Sequence, residues 1–333
     1  EGYTNPAYGA GRREAMYYAV AAGADIGQRV LARAIDARDT PLARLAIASI
    51  ERTAGGDTLW SGQGPRKPLL EALTYPNRRV QYEAALALAA AQPTSGFAGS
   101  ERVVPILGGA IREASRQFAV VLVSDSEQYP RMREMLEKMG YEVAPGARSL
   151  AEAEGSIADA SAVDLIVTWL NPESTRLAIS DARGSAKLLA TPILAFSASQ
   201  GLDSLNAEFA RDVTIAVRSE QIGDTAIVNT INGLVESALG GPISAGEAES
   251  YSSRSIAALR DLAVARNPVF DVGDATTPLA QALMASTGAM QLGLAEVLAR
   301  TDRPAAQSAL FDASVAASGA QRIALMGKSA DSA

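Results

Sequence analysis

The 333-residue chain contains neither cysteine nor histidine. Disulfides, Cys/His zinc sites and iron–sulfur clusters are excluded by inventory, as are Ser-His-Asp triads and Cys-His dyads. Any catalysis would fall to carboxylates, Lys, Tyr or Ser. The lack of cysteine fits the cytosol and an exported, disulfide-free protein equally. Aromatic residues amount to only 5%, so the core must be built mainly from Ala, Leu, Val and Ile, a composition suited to closely packed helices. Basic residues are outnumbered 30 to 37, for a formal charge of −7. The mean field therefore repels polyanions, and nucleic acid is not an expected partner. No apolar run reaches the ~18 residues that a membrane span requires, and no apolar stretch behind a basic start reads as a signal peptide. The first residue is Glu1 rather than Met, which leaves room for the removal of a leader or of a larger parent sequence.

What is present begins with helical periodicity. From Arg12 to about Ser115 apolar residues recur at helical spacing, interrupted by short polar or Gly/Pro punctuation, and predict five or six helices. The stretch Val30 to Ile35, then Asp39 to Leu42, then Arg44 to Ala48, matches Leu69 to Leu73, Asn77 to Val80 and Tyr82 to Leu86 at an offset of 38 residues. Each unit reads as a helix, a tight turn, an N-capping Asp39 or Asn77, and a second helix with small residues on its buried face. A third match joins Leu294 to Leu298, Asp302 to Ala305 and Gln307 to Phe311. Paired helices repeating at about 40 residues resemble HEAT repeats, whose units bury their apolar faces only by stacking.

From Gln117 the period changes. Phe118 to Val123 is an apolar, β-branched run of the kind that forms a strand buried on both faces. Comparable runs cover Tyr141 to Ala144, Val163 to Trp169, Pro192 to Phe196 and Val213 to Val217, separated by helical stretches near 128–139, 149–160, 173–188, 202–211 and 222–239. The alternation predicts an α/β domain with a five-stranded, parallel, doubly wound sheet. The expected division is a helical region over 1–116, the α/β domain over 117–240 ending near Gly240-Gly241-Pro242, and a second helical region over 241–333 with a frayed tail from Lys328.

The 117–240 segment resembles the receiver domain of response regulators. The resemblance rests on Val121 to Ser126 at the end of the first strand, Asp164 to Val167 in the third, and Thr191 to Ala198 around the fourth. A working receiver needs a carboxylate nucleophile at the end of strand three, an acidic pair for a divalent cation, and a hydroxyl and a Lys for the phosphoryl oxygens. Carried over position by position, the acidic pair falls on Ser124 and Asp125, the phosphoacceptor on Trp169, the hydroxyl on Ser197 and the Lys on Arg218. An indole cannot accept a phosphoryl group. Asp164 belongs to the opposite end of its strand, and a slipped alignment would pair Asp125 with Glu127 as a weak metal site at best. The resemblance thus implies a pseudo-receiver with no cofactor, metal or catalytic residue.

Other features read more plainly. The glycine pairs are punctuation, because none follows a strand and opens a helix as a phosphate loop does. Trp60, in the Gly55 to Pro65 loop, either tucks against neighbouring helices or anchors a partner. Arg12-Arg13 and Arg78-Arg79 read as solvated faces, with inter-repeat packing as the alternative for Arg79. Tyr3, Tyr8, Tyr17 and Tyr18 are placed to cover the open end of the helical array or to hold a neighbouring chain. The expected function is a non-catalytic scaffold for protein partners, with a homo-oligomer or larger assembly also open. The alternative is a sensor binding a small anion or nucleotide at the strand carboxyl ends.

Overall fold

A computed structural model describes residues 15–53, 59, 66–112 and 114–331. Trp60, Tyr3, Tyr8 and Arg12-Arg13 lie outside the described residues. The first helices are α1 (Ala15–Ala22), α2 (Ala24–Ala37), α3 (Thr40–Thr53), α4 (Pro68–Glu71, extended by a 3₁₀ turn), α5 (Arg78–Ala90) and α6 (Val103–Arg112). The caps expected at Asp39 and Asn77 are made: Asp39 Oδ1 accepts the Leu42 N–H at 3.0 Å, and the Asn77 side chain accepts from Arg79 N and Val80 N, whereas at the third match the helix Pro304–Ala316 starts after Arg303 with no side-chain cap from the expected Asp302. Each of the two caps satisfies backbone donors that the first helical turn leaves open.

The α/β domain follows as β1 (Gln117–Val123), α7 (Gln128–Lys138), β2 (Tyr141–Val143), α8 (Glu154–Asp159), β3 (Leu165–Trp169), α9 (Pro172–Gly184), β4 (Ile193–Ser197), α10 (Ser199–Phe209), β5 (Ile215–Ser219) and α11 (Asp224–Leu239). All pairings are parallel, in the order β2-β1-β3-β4-β5. Alternating side chains feed two cores, as the two-residue period of a strand requires. Val121, Leu165, Val167 and Leu194 pack under α7 and α11. Val120, Leu122, Ile166 and Ile193 pack under α8 and α9, and α10 closes the β4–β5 corner through Leu205.

The remaining helices are α12 (Ala245–Ala265), α13 (Thr276–Ala285), α14 (Gly288–Leu298), α15 (Pro304–Ala316) and α16 (Gly319–Asp331). They do not form a separate core. One buried cluster runs from Leu31 through Leu88, Leu107, Leu259 and Leu294 to Leu325, joining the helices on both sides of the sheet domain. Their contacts define a two-layered stack of hairpins, α2/α3, α4/α5, α6/α12, α13/α14 and α15/α16. The middle hairpin is closed by helices far apart in sequence, and the α/β domain is inserted between its two arms. This places the sheet domain as a side branch on a continuous helical array.

Two expectations change. The segment from Lys328, expected to fray, is the last turn of α16, which runs to Asp331. The third sequence match falls on α14 and α15, and there it runs from the second layer to the first, opposite to the α2–α3 and α4–α5 units. Similar apolar spacing occurs at both kinds of helix junction, so periodicity alone does not set the phase. No helix among the described residues is long and apolar enough to cross a membrane.

Candidate functional site

The parallel order brings the carboxyl ends of β1, β3, β4 and β5 to one edge. Val123, Trp169, Phe196 and Arg218 stand in one register row across it. The Trp169 side chain is buried in the core under α7 and α11, and its ring lies 4.6 Å from that of Phe196 at an interplanar angle of 30°. Its Nε1–H is buried without a hydrogen-bond partner. The carboxyl end of β3 is thus filled by packed aromatic surface.

The neighbouring candidates are near in the fold but face different ways. Ser124 is exposed, and its backbone N–H donates to the Trp169 carbonyl at 3.2 Å. Asp125 is exposed and turns back on its own loop, where Oδ1 accepts the Glu127 N–H at 3.0 Å. Its carboxylate therefore helps to start α7. Ser197 is buried, with its hydroxyl donating to the Ala198 carbonyl at 3.1 Å. Arg218 is exposed and donates to the Val217 carbonyl at 2.8 Å. No group of three or more His, Cys, Asp or Glu among the described residues is arranged to hold a metal ion.

The opposite edge of the sheet carries a denser polar arrangement. The strand amino ends dock on the helical array, and the two arginines expected on a solvated face are buried there, each with 4% of its surface exposed. Arg78 donates to the Arg116 carbonyl on the ingoing crossing, and its Nη2 lies 3.1 Å from Asp164 Oδ2. Asp164 Oδ2 also accepts the Phe118 N–H at 2.8 Å, so it ties β1 and β3 to α5. Burial raises the Asp164 carboxyl above its ordinary value, against the pull of Arg78 and the Phe118 N–H.

Arg79 holds the outgoing crossing. It donates to the carbonyls of Leu239 at 3.3 Å, Gly241 at 2.8 Å and Pro242 at 3.0 Å. Its remaining donors engage both oxygens of Glu247 on α12, at 2.6 and 2.7 Å. Those carbonyls are available because Gly240 and Gly241 turn the chain with φ of 74° and 80°, a region open to glycine. The Arg79 guanidinium holds the Glu247 carboxyl below its usual range.

Further links run alongside. Arg44 Nη2 and the Tyr251 hydroxyl both donate to Glu83 Oε1 at 2.8 Å, joining α3, α5 and α12. Arg38, whose own φ of 57° ends α2, pairs at 2.7 Å with Asp212, which precedes β5. The junction also borders a cleft of about 300 Å³ lined by Arg78, Arg116, Phe118, Glu142 and Asp159. Sequence reasoning missed this junction because its acceptors are mostly backbone carbonyls, which no side-chain pattern records. No family model, no curated protein and no solved structure matches the chain.

Proposed function

We propose that the chain is a non-catalytic interaction scaffold, in which a HEAT-like helical array carries a receiver-like domain unable to take up a phosphoryl group. The observation that carries this reading is the buried Trp169 ring, stacked on Phe196 where a phosphoacceptor carboxylate would stand. The strand order β2-β1-β3-β4-β5 is that of flavodoxin-like sheets and supports the receiver resemblance. The unbroken hairpin stack supports the array as the larger surface, with the inserted domain as a second docking face. Binding through shape and apolar contact, without turnover, is the mechanism that these features favour.

Phosphoryl uptake is the deciding experiment. The protein incubated with Mg²⁺ and acetyl phosphate should keep its intact mass, and a Trp60→Phe variant should show unchanged Trp169 fluorescence under the same conditions. A stable acyl-phosphate adduct would overturn the reading. A saturable fluorescence response to the anion or to a nucleotide would replace it with the sensor.

A further inference from the structure

We infer that the cleft between α5, α6 and α13 receives an extended peptide segment of a protein partner, one with an aliphatic residue between an acidic and a basic one. This rests on the reading of the helical array as an interaction surface and names the class of partner that one part of it fits. The cleft has a volume of about 460 Å³, within the ~300–1,000 Å³ usual for binding clefts. Three successive hairpins contribute to it: Gln81 and Tyr82 from α5, Ile106 and Gly109 from α6, and Pro278 and Gln281 from α13. Ser161 of the inserted domain also lines it.

The first observation is a glycine without a packing role. The pair Gly108-Gly109, expected as punctuation, lies inside α6. A helix interior disfavours glycine against alanine, so each position needs a reason. Gly108 has one: an added Cβ would stand 2.9 Å from Pro278 Cγ and 3.3 Å from Ala275 Cβ. At Gly109 a Cβ would meet nothing within 4 Å. Gly233 and Gly327 leave similar space inside α11 and α16, but both are exposed, whereas Gly109 is half-buried and lines the cleft. Its missing side chain keeps helix backbone open there, where the main chain of an occupant can come close.

The polar groups of the cleft match a peptide unit flanked by charge. Gln81 Nε2 donates to the Tyr75 carbonyl at 2.6 Å, which leaves Oε1 to accept. Gln281 Oε1 accepts from Arg112, which leaves Nε2 to donate. One acceptor and one donor are what a peptide N–H and C=O require. Three charged residues line the cleft, and Arg78 is committed to Asp164 and to the Arg116 carbonyl. Arg112 and Asp274 are exposed, opposite in sign and in no ion pair among the described residues. They favour an occupant with one charge of each sign over one that is strongly acidic or basic. The apolar part of the lining, Pro105, Ile106 and Pro278, suits an aliphatic side chain. A helix about 10 Å across, rising about 5.4 Å per turn, would take up roughly 420 Å³ in a single turn. An extended chain is therefore the better fit.

Selection of displayed dodecapeptides on the full chain tests this, followed by fluorescence anisotropy of labelled synthetic copies. The expected result is a set of binders that Gly109→Leu weakens at least tenfold with no loss of Tm, because the added side chain enters open space. Arg112→Glu should weaken them too, and exchanging the peptide's acidic residue for Lys should restore binding. Failure to enrich any peptide would overturn the inference. So would binders indifferent to both changes, or binders that gain helical circular dichroism when bound. Peptide binding at another surface would sink this site and leave the scaffold reading intact, whereas phosphoryl uptake would sink the scaffold reading whatever the peptides do.

Discussion

Arg78 and Arg79 are neighbours in sequence, yet their guanidinium groups hold the two opposite crossings of the inserted domain. Arg78 takes the Arg116 carbonyl on the way in, and Arg79 takes the Leu239, Gly241 and Pro242 carbonyls on the way out. Asn77 fixes both by capping the helix on which they stand. One helix start therefore ties a hairpin, a sheet edge and the continuing array together.

Removing the second arginine should be costly. Arg79→Ala leaves three carbonyls and the partly exposed Glu247 without their donor, with only Arg44 at 3.6 Å still facing that carboxylate, and should cost about 1 to 3 kcal/mol. Arg79→Lys should recover only part of this, because an ammonium cannot reproduce the planar fork. Thermal unfolding followed by circular dichroism should rank wild type above Lys above Ala.

Acid should release the same latch. Glu247 is depressed in the folded state, so its contribution is present above the unfolded pKa of about 4.3 and is lost as pH falls through the lower folded value. Glu247→Gln should be less stable than wild type at neutral pH. The gap should narrow below about pH 4, read as the difference in Tm between the two proteins across the pH series.

Asp164 predicts a local effect. Asp164→Ala removes the acceptor of the Phe118 N–H and the anion beside Arg78. Taking the counter-charge from a buried cation and the acceptor from an amide should destabilise by about 2 to 4 kcal/mol. Hydrogen exchange should accelerate at the start of β1 before the distal ends of the strands respond.

Two substitutions at Trp169 separate packing from hydrogen bonding. Trp169→Ala empties the space beside Phe196 and should cost about 3 to 5 kcal/mol. Trp169→Phe keeps a ring and deletes an unpartnered donor, so it should cost less than about 1.5 kcal/mol. Equal losses in denaturant unfolding would show that the indole N–H matters after all.

Gly201 marks where α10 must approach its neighbours closely. An added Cβ would stand 2.4 Å from Pro172 Cγ and 2.7 Å from Ser197 Oγ. Gly201→Ala should therefore destabilise by about 1 to 3 kcal/mol, measured as a lower unfolding midpoint.

Much of this architecture was legible in residue patterns. The β-branched runs beginning at Phe118, Tyr141 and Pro192 announced strands, and Asp39 and Asn77 announced helix starts, because backbone preference and capping are local physics. That β3 ends in Trp169 rather than in a carboxylate was equally visible in the residue pattern. Tertiary structure alone decided that α6 pairs with α12 across the inserted domain, and that Arg78 and Arg79 turn inward rather than to water. Apolar periodicity states which face of a helix must be covered but carries no information about what covers it. A basic side chain at a helix start has the same local signature whether it meets solvent or the carbonyls of a chain returning from more than a hundred residues away.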